Sequence, residues 1–256
     1  MSKSLNDHTL DVLDGFQRIA LEDVPPDVLM KRIDRKFPFH VSDIGKVLDG
    51  LQENFLVLEA VGDIVSPYQT LYFDTDDFKF YYDHHRGLRN RMKIRYRSYP
   101  RTQTHFLEIK SKNNKSQTSK ERIDVWSSEP GFSDEARKFL ERNVDPELVG
   151  SLKPTIHIYY NRLAFIGRDF NERFSIDFDV HFEDQYSCGK FEGLAIAEIK
   201  QAEYRTTEVV QHFRTSGLRE SSMSKYCLGM ANLRPELKSG EFKAAMRNIE
   251  KITRAA

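Results

Sequence analysis

The sequence predicts an α+β fold: about eight antiparallel strands with helices packed outside them. Three observations carry this. Short segments of alternating apolar and polar residues recur along the chain, the pattern of strands with one buried face. Most of these segments are joined by short loops, which favours antiparallel neighbours. Segments of helical period fall between and after them rather than in strict strand–helix alternation. About eight strands are enough to close a sheet into a barrel.

Taken in order, residues 1–27 read as an N-terminal appendage ending near Pro25 and Pro26. The main domain is placed at 28–235, and a C-terminal amphipathic helix, EFKAAMRNIEKIT, falls in 236–256. MKRIDRKFPF alternates and reads as the first strand. VSDIGKVLDGLQENF sets Val41, Ile44, Val47, Leu48 and Leu51 at helical spacing behind an N-cap at Ser42. YQTLYFDT is a strand, read at Tyr72, Phe73 and Asp74 as core plus turn. DFKFYYDHH is a short helix or turn that leaves His84 and His85 exposed, without partner spacing for zinc. Four strands follow: RNRMKIRYRSY, THFLEIKS, SKERIDVW and TIHIYYNRLAF. The turn-rich KNNKSQT separates the second from the third, and a segment with a helical middle separates the third from the fourth. ERFSIDFDVHF places Phe174, Ile176, Phe178, Val180 and Phe182 on one side, and GLAIAEIKQ is the last strand. TEVVQHFRTS and MSKYCLGMANL are helical.

Composition narrows the function. Lys plus Arg number 39 against 39 Asp plus Glu, a balance unlike that of a protein that coats nucleic acid, so no nucleic-acid partner is expected. Two cysteines, Cys188 and Cys227, are too few for a disulfide framework or a cysteine zinc site. No apolar run spans a bilayer, and the N-terminus lacks the pattern of a secretory signal. A soluble cytoplasmic protein is the expectation.

The polar faces of the strands share one theme. They carry Arg32, Asp34 and Lys36; Arg91, Lys93, Arg95 and Arg97; Glu108 and Lys110; Lys120 and Arg122; Arg173, Ser175, Asp177 and Asp179; and Glu198 and Lys200. A half-exposed sheet ordinarily solvates its polar face, eased by cross-strand ion pairs. Here cations dominate adjacent strands, and two acids sit in a repeated E-I-K pattern, at Glu108 and Glu198. Arginine forks and lysine point charges suit a row of phosphates. A few carboxylates would hold Mg²⁺ or Mn²⁺ bridged to phosphate. Positioned phosphates, a metal and cations are what phosphoryl transfer needs. No P-loop is present.

An ordered series of short motifs extends the reading: IDRKF, LYFDT, KIRYRSY, FLEIKSK, KERI, YYNRLAF, RFSIDFDV, AEIK and SMSKYCLGM. With these the chain resembles, over roughly residues 28–232, the catalytic domain of the vacuolar transporter chaperone (VTC) polyphosphate polymerases. Those belong to the triphosphate tunnel metalloenzymes, a CYTH-like superfamily. The resemblance implies a closed antiparallel barrel whose cationic tunnel holds a phosphate chain. It implies transfer of the γ-phosphate of ATP to polyphosphate, with Mn²⁺ or Mg²⁺ as cofactor. Carried onto this sequence, Arg95, Arg97, Lys110 and Glu198 would be catalytic. Lys36, Arg91, Lys93, Lys120, Arg122, Arg162, Arg173, Lys200 and Lys225 would bind phosphate. Glu198, assisted by Glu108, would hold the metal, and the helix bearing Lys225 would close one tunnel mouth.

Two departures qualify the match. The first strand lacks the E-x-E-x-K of the hydrolytic triphosphatases, which favours synthesis over hydrolysis. Ser222 and Met223 stand where the family often has a second lysine before S-K-Y. A tripolyphosphatase or nucleoside triphosphatase, and a binding module for polyphosphate or inositol phosphates, are the alternatives. The eukaryotic relatives carry membrane domains; none is read in this sequence, which leaves any membrane partner to another chain.

Overall fold

The computed structural model describes residues 5–25, 33–112, 118–201 and 203–254. Helix α1 (Asp7–Asp14) is capped by Asn6, whose side chain accepts from Thr9 N at 2.9 Å. The chain continues through β1 (Arg18–Ala20), β2 (Ile33–His40), α2 (Ile44–Leu48), β3 (Phe55–Glu59) and β4 (Ser66–Asp74). Next come α3 (Lys79–His85), β5 (Arg91–Tyr99), β6 (Thr104–Lys112) and β7 (Thr118–Val125). Helices α4 (Asp134–Asn143) and α5 (Pro146–Ser151) lead to the long β8 (Lys153–Gly167) and β9 (Glu172–Glu183). The chain ends with β10 (Cys188–Lys190), β11 (Leu194–Gln201), α6 (Glu208–Thr215), α7 (Lys225–Leu233) and α8 (Lys243–Arg254). The fold is α+β, as expected.

One sheet runs in the order β2-β11-β9-β8-β4-β5-β6-β7, antiparallel throughout, with β1, β3 and β10 attached beside it. The expected closed barrel is not formed: no pairing joins β7 to β2 among the described residues. Instead Lys36 O, on β2, accepts from Ser221 N at 2.8 Å. The segment between α6 and α7 thus runs beside β2, where β7 would have to pair. The sheet is nonetheless strongly curled. Lys110 Nζ on β6 lies 3.0 Å from Asp34 Oδ2 on β2, so the first and seventh strands meet through their polar faces. That shared face is the inside of the curl.

Apolar residues cover the outside. Phe37, Phe39, Phe165, Phe174, Ile176, Ala197 and Ile199 pack under α1, α2 and α6 in the largest cluster. Ile94, Tyr96, Leu107 and Ile109 pack under α4 and α5. Helix α7 lies on the inner face at one end, with Tyr226, Cys227 and Met230 against Tyr72, Ile156, Ile158, Tyr160, Val180 and Phe182. It sits so close that a Cβ on Gly229 would fall 2.7 Å from Phe182 Cδ1 and 2.9 Å from Ile156 Cδ1. Ile249 of α8 joins Leu228, Leu194 and Ile196 next to it.

Three local expectations are corrected. Val180 and Phe182 do not share a side with Phe174, Ile176 and Phe178, because the β8–β9 register shifts at a bulge where Asp179 takes φ 55°. One extra residue moves all later side chains to the other face. The helix expected behind Ser42 is only five residues long. Ser42 lies in a 3₁₀ turn whose cap is His40, and Gly50 (φ 83°) ends the helical run before β3. Arg32 and most of KNNKSQT lie outside the described residues.

Candidate functional site

Strand β5 aims Arg91, Lys93, Arg95 and Arg97 inward because Met92, Ile94 and Tyr96 are taken up by the outer core. The ladder then stacks like upon like. Lys93 stands directly opposite Lys110, which stands opposite Lys120; Arg91 faces Lys112. Like charges placed this way destabilise a sheet. The carboxylate among them is Glu108, between Arg95 and Arg122. It is buried and takes Arg95 Nε at 2.8 Å, Arg95 Nη2 at 2.6 Å, and Lys120 Nζ. Burial pushes the Glu108 pKa up, but Arg95, Arg97 and Lys120 outweigh it and hold the carboxyl well below the usual range.

Lys110 reaches Asp34 across the curl, and the next cations of this half meet neutral groups. Lys93 Nζ donates to Ser224 Oγ at 2.9 Å, and Arg91 Nη1 to Leu88 O at 3.0 Å. Arg97 lies 5.4 Å over the Tyr68 ring, and its buried Nε has no hydrogen-bond partner among the described residues. Arg122 lies 4.6 Å over Phe106. Burial, reinforced by neighbouring cations, pushes both the Lys93 and Lys120 ammonium groups down to about 8. Arg95 also donates to Tyr72 OH at 2.8 Å. Burial raises the Tyr72 pKa, yet Arg95, Lys93 and Arg97 together bring it below the ordinary phenol value.

The opposite half, on β8, β9, β11 and β2, is balanced. Arg162 clasps the fully buried Asp177 with two bonds, 2.5 Å from Nε to Oδ1 and 2.8 Å from Nη2 to Oδ2. Lys225 also donates to Asp177. Burial raises the Asp177 pKa, but Arg162 and Lys225 bring it down to about 2. Glu198 lies 3.9 Å from Lys36 Nζ and 4.0 Å from Arg162 Nη2. Burial raises its pKa; Lys36, Lys200, Arg162 and Lys225 hold it well below the usual range. Lys200 faces Arg173 on β9 and Asp34 on β2. Ser224, the N-cap of α7, accepts from both Cys227 N and Lys93, so this helix start ties the two halves together.

The sequence-predicted cations and both glutamates thus share the inner face. The carboxylates do not gather: among the described residues no three His, Cys, Asp or Glu side chains form a metal cluster. Glu108 does not fit a ligand role, since its two oxygens are engaged by Arg95 and Lys120. Glu198 fits better. It stays ionised, and Lys36 and Arg162 stand beyond hydrogen-bonding distance of it. Mg²⁺ and Mn²⁺ commonly take one or two carboxylates and complete their shell with phosphate and water.

Several residues escaped sequence reasoning. Tyr72 is an inner-face residue that meets Arg95, on the side opposite Leu71 and Phe73, which pack in the outer core. Asp74 caps α3, accepting from Phe80 N and Tyr81 N at 2.9 Å and from Tyr226 OH. His84 is not in an exposed turn but in α3. Burial and then Lys93, Arg91 and Lys112 push it down to about 2, so it is neutral. Arg35, only 1% exposed, lies on the outer face. It is bound to Glu220 at 2.7 Å and to Arg205 O at 3.1 Å, and is covered by Tyr204.

The model of the VTC domain family matches residues 31–234. The chain belongs to that family. No curated protein sequence matches it. Among solved structures it is similar to a candidate adenylyl cyclase from Hippeastrum described as having a dominant triphosphatase activity. That likeness has 13% identity, covers 79% of this chain and 96% of the other, and has a TM-score of 0.50. Candidate adenylate cyclases from Vibrio parahaemolyticus and Bacillus halodurans are also similar. Both are 13% identical, cover 78% and 76% of this VTC-domain chain and 98% and 95% of theirs, and have TM-scores of 0.47 and 0.46. At this identity the Hippeastrum likeness shows a shared fold. No described helix of the VTC-domain chain is long and apolar enough to cross a membrane.

Proposed function

We propose that this VTC-domain protein is a metal-dependent polyphosphate polymerase that transfers the γ-phosphate of ATP to a polyphosphate chain. One observation carries the reading. On β5–β7 the Lys93–Lys110–Lys120 row, Arg91 beside Lys112, and Arg97 together outnumber the carboxylates that could answer them. Such a surface is eased by a polyanion lying on it, and membership of the VTC domain family supports a phosphate chain as that anion.

In this reading a terminal oxygen of the chain attacks the γ-phosphorus. The bond from γ-phosphorus to the β–γ bridging oxygen breaks, and ADP leaves with that oxygen. The attacking oxygen is already anionic, so no general base is required. Arg95, Arg97 and Lys110 would neutralise charge on the transferring group, the main task in phosphoryl transfer. Glu108 and Tyr72 orient Arg95 for it. Lys36, Arg91, Lys93, Lys120, Arg122, Arg173 and Lys200 would track the chain, and Arg162 and Lys225 would do so from their positions on Asp177. Glu198 would hold the divalent ion, which supplies further charge neutralisation when bound. Residues 28–235 would form this unit, flanked by 1–27 and 236–256, and the reaction would run in the cytoplasm, where ATP is made.

The test is turnover. Purified protein with ATP and Mn²⁺ should give ADP and a ladder of long chains on a gel stained for polyphosphate. Arg97→Ala and Glu198→Gln should each abolish it, with Glu198→Gln still binding tripolyphosphate. Orthophosphate without chains would replace synthesis by hydrolysis. Tight polyphosphate binding without ADP release would leave a binding module.

A further inference from the structure

The inner face changes character toward one end of β7. Lys120 and Arg122 give way to Asp124 before β7 ends at Val125, and the next residue is Trp126, the chain's single tryptophan. Trp126 is 99% exposed. The β6–β7 ladder runs through Phe106 opposite Asp124 and His105 opposite Val125. Trp126 follows Val125 directly, in the bend just past the end of β7. The neighbouring inner-face residues are aromatic. Phe106 lies 5.8 Å from Tyr99, Tyr99 lies 4.9 Å from Tyr68, and the Arg122 guanidinium lies over Phe106. The cation-rich row therefore ends in an aromatic rim.

A phosphate chain has no use for such a rim. A large aromatic left wholly in water just past an otherwise charged edge strand is an unmet demand for a flat apolar partner. Of the substrates in the proposed reaction, only the nucleotide carries one. Asp124 fits the same division: a carboxylate repels phosphate but accepts from the hydroxyls or amino group of a nucleoside. The lengths agree as well. Trp126 is four positions beyond Arg122, at most about 13 Å along the chain, which is comparable to the reach from a triphosphate to its base.

We propose that Trp126, just past the end of β7 that carries Arg122 and Asp124, is the platform on which the base of the incoming nucleoside triphosphate stacks. The nucleotide then enters at this rim with its phosphates directed toward Arg122, Arg97 and Arg95. This rests on the polymerase reading for the presence of a nucleotide, and its test does not depend on turnover.

Because Trp126 is the single tryptophan, its fluorescence reports the site directly. ADP, which has no γ-phosphate to transfer, should quench it, and inorganic tripolyphosphate should bind without doing so. Trp126→Ala should weaken ADP and ATP binding about tenfold, the usual scale for one base–aromatic stack, and leave tripolyphosphate affinity unchanged. Trp126→Phe should restore most of the loss. Unquenched fluorescence at saturating ADP, or equal nucleotide affinity in wild type and Trp126→Ala, would overturn the platform. Quenching without any phosphoryl transfer would instead retain the platform and remove the polymerase.

Discussion

The two halves of the inner face follow the same strand alternation and arrive at opposite electrostatic states. On β8, β9, β11 and β2, cations are answered from within: Arg162 and Lys225 by Asp177, Lys36 by Glu198. On β5, β6 and β7, Glu108 is used up by Arg95 and Lys120. Arg97 is left on a tyrosine ring, Lys93 on a serine hydroxyl and Arg91 on a carbonyl. A buried charge persists only if it is paired or if it accepts a cost for another purpose. The first half is therefore organised to fold, and the second, in the proposed function, to receive an anion.

The comparison is most exposed to failure at Asp177. Asp177→Asn removes one partner of a buried, doubly bonded pair and leaves Arg162 and Lys225 facing each other. We expect a loss of about 3–5 kcal/mol in denaturant titration, the usual cost of breaking such a pair. Wild-type stability should show the matching pH dependence. The Asp177 pKa is lower in the folded chain than in the unfolded one, so its contribution is complete above about pH 4. It is lost as pH falls through about 2. Arg97→Ala should behave in the reverse way. Folding stability should hold or rise, because an unpaired cation is removed, while tripolyphosphate affinity falls about tenfold or more. A silent Asp177→Asn, or an Arg97→Ala that unfolds the chain, would erase the distinction between the halves.

How much of this was legible follows from the range of each interaction. The inward set of Arg91, Lys93, Arg95 and Arg97 needs only the local alternation with Met92, Ile94 and Tyr96, and the sequence displays it. Its imbalance was also visible, in the excess of cations on adjacent strands. The balance of the other half was not, because Lys225 reaches Asp177 from 48 residues away. Arg35 occupies an apolar position of an alternating strand, and its partner Glu220 lies 185 residues on. No local pattern announces either. Closure into a barrel was overestimated for the same reason: strand number permits it, but the segment around Ser221 takes the edge of β2. The face change at Val180 depends on a bulge at Asp179, which carries no glycine to mark it.

A middle-sized effect sharpens the contrast through pH. Lys93 and Lys120 sit on the uncompensated half with pKa values pushed down to about 8. Raising the pH from 7 to 9 discharges them, so tripolyphosphate affinity should fall across that interval. Stability of the unliganded protein should move the other way. Between about pH 8 and 10.4 the unfolded chain holds protons that the folded lysines have released, so stability rises with pH. Bound phosphate favours the charged amines and shifts the fall in affinity to higher pH. Lys93→Arg, which keeps its charge, should flatten the titration measured by calorimetry. An affinity independent of pH between 7 and 9 would mean that these amines are not in contact with the anion.

The smallest effect lies at the seam where the two halves meet. Asp34 on β2 and Lys110 on β6 form a half-exposed pair, a class worth about 0.2–1 kcal/mol. Asp34→Asn should therefore cost little stability, yet it removes the carboxylate that competes with phosphate for Lys110. Tripolyphosphate should then bind somewhat more tightly, by up to about fivefold on the same energy scale. Lys110→Gln should weaken binding, and in the double variant the gain from Asp34→Asn should vanish. A gain that survives without Lys110 would assign it to general repulsion by Asp34. Weaker binding in Asp34→Asn would show that the carboxylate orients Lys110 for the anion rather than withholding it, and the seam would then belong to the receiving half.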